Sequence, residues 1–444
     1  MNSLRHLRIS RRFVDTDFGN PMPSHALPLN SFTMAFRAAL KCSTQALLLI
    51  GFGTLSLSAM QENGGGENIR IGNMDLDLQA SLTQSYDSNI GRSSNDAESD
   101  FITQFGLRLS GEVELTEINT LSLSIGAEFR KYWENSEYDT GRNTIILTPE
   151  TGLELFFQIG NFDFRAYDDF SLLSDPGDTR FINPISGPGF TNVVLYNRIR
   201  NRLGVDGIWT INPYWTADAG ISRLDMIPLD NEFEDLQRHS YDASAGLTHH
   251  VAANLDVYGR FGGSLDTWRT DYQPDSSSWW VGTGASWRPT DFLETEAFVS
   301  WTSRSFDSDG LNMDQTSTSD GLAGNIALTH LISPVLQHSI SYARSIDLGT
   351  VSNGLTNQSI QYQVDYSGFE RSNVYFSVIW NEGDESGGIV PEEYDRWAFR
   401  AGLGYPLSRQ LEFSAFVEHT FRDSNVDRRN FSRDLASITL TYDF

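Results

Sequence analysis

The sequence predicts an all-β fold, a transmembrane antiparallel up-and-down β-barrel of about 18 strands. Three observations carry it. Apolar and polar residues alternate with a period of two in segment after segment, the pattern of strands with one greasy and one wet face. Short turns and longer acidic loops alternate along the chain, which is the asymmetry of outer-membrane barrels. Aromatics make up 12% of the 444 residues although mean hydropathy is only −0.33, so apolar side chains are spread over half-wet strands and not gathered into spanning helices.

Residues 1–33 read as an over-called extension ahead of Met34. Residues 34–59 read as a secretory signal: Arg37 and Lys41 form the basic region, Ala46 to Leu57 the apolar core and Ser58-Ala59 the small-residue exit. That core is too short to span a bilayer. Cys42, the one cysteine, precedes it, which argues against a lipoprotein signal. After residue 59 no cysteine remains and Lys131 is the only lysine, so an exported chain is expected to hold its ion pairs with arginine and to need no disulfide. Residues 60–73 form a Gly- and Asn-containing lead-in, and the barrel is expected over 74–444. Acidic residues number 58 against 32 basic, a net charge of −26, which speaks against nucleic acid as a partner.

The alternation is explicit in the second strand. Phe101, Phe105, Leu107, Leu109 and Val113 share one face, and Gln104, Arg108, Ser110, Glu112 and Glu114 the other. A turn at Thr116–Asn119 follows, and Leu121, Leu123, Ile125, Ala127 and Phe129 resume the apolar row. Further tight turns fall near Gly160-Asn161, Ile211–Pro213, Ala252–Asn254, Arg288–Asp291, Ser333-Pro334, Gly368–Asn373 and Leu407–Gln410. Between them lie acidic loops such as 94–100, 134–139, 174–189, 229–235, 306–310 and 381–393. Trp209, Tyr214, Trp215, Trp287, Phe292, Tyr405, Tyr442 and Phe444 gather at the turn end, where amphipathic rings suit a membrane–water boundary. A soluble β-propeller shares the repeat length of about 40 residues, but its blades use shorter strands and carry a blade motif absent here.

In such a barrel the inner row is the wet one. Arg198, Arg200 and Arg202 fall on one face, about 7 Å apart at roughly 3.4 Å per residue, and form a candidate pore-lining ladder for anionic or hydroxylated solutes. Asp163, Arg165, Tyr167 and Asp169 on the preceding strand and Asp218 on the following one are also read as inward, where the acids would neutralise the arginines. Inward acids recur at Glu128, Glu154, Asp206, Asp242, Asp256, Glu294, Glu296, Asp365, Glu412 and Glu418, with Arg108, Arg130, Arg260 and Arg304 among them. Asp307, Asp309, Asn312 and Asp314 form a weak calcium candidate lacking the full loop spacing. A solvated acidic loop is the plainer reading, so no metal and no cofactor are expected. His249 and His250 are adjacent and must point to opposite faces; His330 is read as inward, His338 and His419 as outward. No hydrolase, metalloprotease or phosphate-loop motif is present, and no enzyme is expected.

The closing segment places Ala436, Ile438, Leu440, Tyr442 and Phe444 on one face. Ile438, Leu440, Tyr442 and Phe444 resemble the signal that outer-membrane assembly machinery captures through an edge strand. The hairpin at 84–111, with Tyr86, Asp87, Asn89 and Ile90 ahead of an acidic loop and a long second strand, resembles the start of the outer-membrane β-barrel porin-2 family. The resemblance implies a porin-like diffusion or export channel, with carbohydrate or exopolysaccharide as its context. It carries no site residues over, because the family has no agreed substrate. The partners expected are outer-membrane lipid and lipopolysaccharide, the assembly machinery, and polysaccharide or small solutes. The rival reading is a non-conducting structural barrel of an exopolysaccharide system.

Overall fold

A computed structural model describes residues 69–71, 74–140, 146–149, 151–173, 197–229, 231–270, 274–307, 318–348, 353–369, 371–386 and 392–444. The extension at 1–33, the signal at 34–59, most of the lead-in, the loop at 174–189 and the calcium candidates Asp309, Asn312 and Asp314 lie outside the described residues.

The strands in chain order are β1 (Ile69–Ile71), β2 (Met74–Asp87), β3 (Asp100–Thr116), β4 (Asn119–Tyr132), β5 (Ile146–Leu147), β6 (Gly152–Ile159), β7 (Phe162–Leu173), β8 (Arg198–Asn212), β9 (Trp215–Pro228) and β10 (Arg238–Ala252). They continue with β11 (Leu255–Trp268), β12 (Ser276–Thr290), β13 (Leu293–Phe306), β14 (Thr318–Ser333), β15 (Leu336–Leu348), β16 (Gly354–Phe369), β17 (Ser372–Ser386), β18 (Glu393–Pro406), β19 (Leu411–Ser424) and β20 (Phe431–Asp443). Every pairing is antiparallel, and β2 pairs with both β3 and β20, so the sheet closes on itself. β5 and β6 make one stave between β4 and β7, interrupted around Thr148-Pro149, where proline has no N–H to give the ladder. With β1 only a three-residue flap on β2, the wall has eighteen staves, and the propeller alternative is excluded.

Five of the short turns share a local cause. Thr116, Asn212, Thr290, Ser333 and Ser408 each accept the backbone N–H two residues on through their side-chain oxygen, from Ile118 (3.4 Å), Tyr214 (2.9 Å), Phe292 (3.3 Å), Val335 (3.4 Å) and Gln410 (3.2 Å). These are Asx- and Ser/Thr-type turns, which reverse the chain in few residues. The β6–β7 turn uses Gly160 at φ +62°.

Burial is inverted relative to a water-soluble protein. Large apolar side chains such as Phe105, Leu107, Val205, Ile221, Phe261, Val281 and Val299 stand exposed on the outer rows. The largest fully buried side chains among the described residues are Glu392, Asn89, Asn381, Asp100 and Ser171. An exposed apolar band costs free energy in water and none in lipid, whereas the buried polar groups need the partners the lumen supplies.

Candidate functional site: the polar lumen

Strand register fixes which side chains enter the lumen. β7 and β8 pair Asp169 with Arg202, Tyr167 with Gly204, Arg165 with Asp206 and Asp163 with Ile208. Arg198, Arg200 and Arg202 therefore share the inner row with Asp206, and Leu203 and Val205 point to lipid. Gly204 is needed here: a Cβ would come within 2.4 Å of the Tyr167 ring that lies over it. The Arg165 guanidinium stacks over the same ring at 4.6 Å and reaches Glu154 at 2.9 Å and Asp206 at 3.7 Å. Arg202 donates to the Ser222 hydroxyl at 3.3 Å.

The acids predicted to offset the ladder divide. Asp169 sits opposite Arg202 and beside the row. Asp218 pairs instead with Arg260 at 3.6 Å, two strands further on. Asp163 lies opposite Gln158 and Ile208, six residues along its strand from Asp169, and is not brought to the arginines. Arg165 serves Glu154 and Asp206 and is a neighbour of the ladder, not a rung of it.

The wall continues with residues whose period alone marks them as inward. Tyr258 donates to Glu296 at 3.2 Å and stacks on Phe298 at 6.0 Å, with Trp280 edge-on to Phe298 at 6.0 Å. Arg304 holds Asp266 at 2.6 Å and Ser276 at 2.9 Å. Arg200, Arg202, Tyr258, Trp280, Glu296 and Arg304 all border one cavity of about 660 Å³ along β7 to β15. Tyr258, Trp280 and Phe298 escape a search for charged motifs, yet each sits in the inner row of its strand.

At the long-loop end, Glu392 is fully buried and accepts from Arg422 (2.7 Å), Ser424 (2.6 Å) and Arg429. Arg422 in turn lies 3.9 Å from the centre of the Tyr394 ring. Nothing in the loop sequence distinguishes this glutamate from its solvated neighbours.

The histidines need one correction. His330 faces out with His338, 3.1 Å away, because β14 pairs it directly opposite that residue. It lies at the turn end of its strand, where a polar group on the outer row meets the membrane boundary and not the hydrocarbon. His249 stacks on Trp215 outside while His250 bonds Asp256 inside at 2.7 Å, as adjacent residues must divide.

A closed barrel with an apolar exterior, a charged interior, short turns at one end and long loops at the other has one compatible solvent. The chain is an outer-membrane β-barrel. No protein-family model and no curated protein matches it. Among solved structures it is similar to OpdQ of Pseudomonas aeruginosa, at 15% identity over 83% of this chain and 99% of that one, with a TM-score of 0.45. It is also similar to the outer membrane protein OpdK of Pseudomonas aeruginosa, at 12% identity over 83% and 99%, TM-score 0.48. OccAB3 of Acinetobacter baumannii gives 12% identity over 84% and 100%, TM-score 0.49.

Proposed function

We propose that the barrel is a porin-like channel for small hydrophilic solutes, with carbohydrate the favoured class. The observation that carries the reading is the inner wall around the 660 Å³ cavity, where guanidinium and carboxylate groups alternate with the faces of Tyr258, Trp280 and Phe298. Rings offer a stacking surface to the apolar face of a sugar, and the charged groups bond its hydroxyls. The hairpin at 84–111 supports the same class through its resemblance to the β-barrel porin-2 family and the exopolysaccharide context of that family. Arg198, Arg200 and Arg202 act in this reading as a selectivity wall, tempered by Asp169. Ile438, Leu440, Tyr442 and Phe444, which share the outer row of β20 and its continuation, act as the segment read by the assembly machinery.

The test is conductance in planar bilayers with soluble oligosaccharide added: ion current that the sugar partly blocks is expected, and current indifferent to sugar would remove carbohydrate as the solute. The rival reading, a non-conducting structural barrel of an exopolysaccharide system, is favoured by one observation. Ile346 and Asp347 near the long-loop end of β15 border the lumenal cavity together with Arg304, so that strand narrows the passage. A barrel that inserts and never conducts would support it.

A further inference from the structure

In an unbroken sheet a strand and its next-but-one neighbour lie about 10 Å apart, twice the strand spacing. The long-loop end of β14–β16 departs from this. The β14–β15 ladder starts only at Gly324↔Arg344; residues 318–323 of β14 pair with β13 alone, and residues 345–348 of β15 with β16 alone. A Cβ built on Gly354 of β16 would lie 3.7 Å from the Ser319 Cβ of β14 and 3.6 Å from the Phe306 ring of β13. One built on Gly321 would meet the Ile346 Cδ1 at 3.3 Å. Ser319, Gly321 and Phe306 belong to the inner row, so the ends of β15 and β16 lie against the inside of β13 and β14. The wall is lapped there, not laddered. Gly324, at φ +152° and with only 2.2 Å between an added Cβ and the Phe298 carbonyl oxygen, marks where it divides.

Arg344 stands at that point. Alternation puts it in the outward row of Ile340 and Tyr342, yet it borders the lumenal cavity. Among the described residues it makes no ion pair, and its Nε is buried without a hydrogen-bond partner. Leu322, Ile326 and Ile340 beside it present an apolar, exposed track on the outer face. A lapped joint can part without breaking a hydrogen-bond ladder, and a half-buried guanidinium with no ion pair favours an incoming oxyanion.

We propose that this joint is a lateral gate between the lumen and the surrounding leaflet, used by a single-chain amphiphile whose oxyanion head is received by Arg344 while its alkyl tail lies on the outer track. The gate does not depend on axial conduction. Its test uses the full barrel in lipid vesicles with Ser319→Cys and Gly354→Cys, in a Cys42→Ser background so that the new pair is the only one. The 3.7 Å Cβ separation falls within the disulfide range of about 3.5–4.5 Å, which strands two apart never reach in a regular barrel. Oxidation is expected to form the disulfide and to cut transfer of a fluorescent dodecyl phosphate from the bilayer into the vesicle at least about tenfold, with recovery on reduction. Arg344→Gln is expected to lower the same transfer about tenfold, the scale of one charge-assisted bond, with flux of inorganic phosphate unchanged. Failure of the pair to cross-link, equal transfer in the locked and reduced forms, or no transfer by the unmodified barrel would each overturn the gate. An effect of Arg344→Gln on inorganic phosphate as large as on the amphiphile would assign the site to free phosphate instead. Lateral transfer without axial current would leave the gate standing and the channel reading refuted.

Discussion

Glu392 shows what a single side chain does in a barrel whose interior is polar. It is buried among Arg422, Arg429 and Ser424, so removing its carboxylate leaves two guanidinium groups with less than they need. Glu392→Ala is expected to lower unfolding stability by about 3 kcal/mol, the usual cost of breaking a buried pair from one side, and denaturant titration in detergent would measure it. A loss under about 1 kcal/mol would mean the cluster is hydrated and dispensable. The arginine row makes a different demand. Since Asp218 pairs with Arg260 and Asp163 lies away from the row, replacing Arg198, Arg200 and Arg202 together by Gln is expected to shift the reversal potential toward cations, with Asp169 left beside them. Charge acts over a Debye length of about 8 Å at physiological salt. Unchanged selectivity with a lowered melting temperature would make the row a structural feature only. At this scale the sequence was informative wherever period decided: Glu112, Glu128, Asp256 and Glu418 all fall on the inner row as alternation requires. His330 instead falls on the outer row with Ile326 and Leu328, because a shift of one place along a strand reverses the face.

Among the elements, the seam between β2 and β20 has the most to hold, because it joins the two ends of the sheet. Its inner row is a polar ladder: Gln79 to Asp443 at 2.8 Å, Thr83 with Thr439 at 2.8 Å and Ser85 to Ser437 at 3.1 Å. Arg433 grips Asp87 through three contacts of 2.6–2.9 Å. Asn89 then ties the first loop back, donating to the Ser93 and Ser432 carbonyls at 2.8 Å and 3.1 Å. The Tyr86-Asp87-Asn89-Ile90 element thus has a physical use as the latch of the closing seam. A double-mutant cycle with Asp87→Asn and Arg433→Gln is expected to give a coupling of about 2 kcal/mol, within the range for contacting charged residues. Coupling near zero would show that the backbone ladder alone holds the seam. The strands and turns were legible because alternation and turn chemistry are local. The break at Pro149 and the lapped ends of β14–β16 were not, since a register break depends on the partner strand and leaves the period of its own strand intact.

The whole molecule follows from one inversion: apolar rows outside, charged rows inside, and a sheet with no free edge. That arrangement is visible in the sequence, in low mean hydropathy beside many aromatics, because a barrel wall needs only every second residue to be apolar. Whether the wet interior is a passage depends on how far the side chains and the inward ends of β15 and β16 fill it, which period cannot tell. The most direct measurement is therefore single-channel recording of the purified barrel in a planar bilayer. Discrete, ohmic steps of current are expected, with a reversal potential that moves when Arg198, Arg200 and Arg202 are replaced by Gln. Stable insertion of the barrel with no current steps at any voltage would rule out the channel.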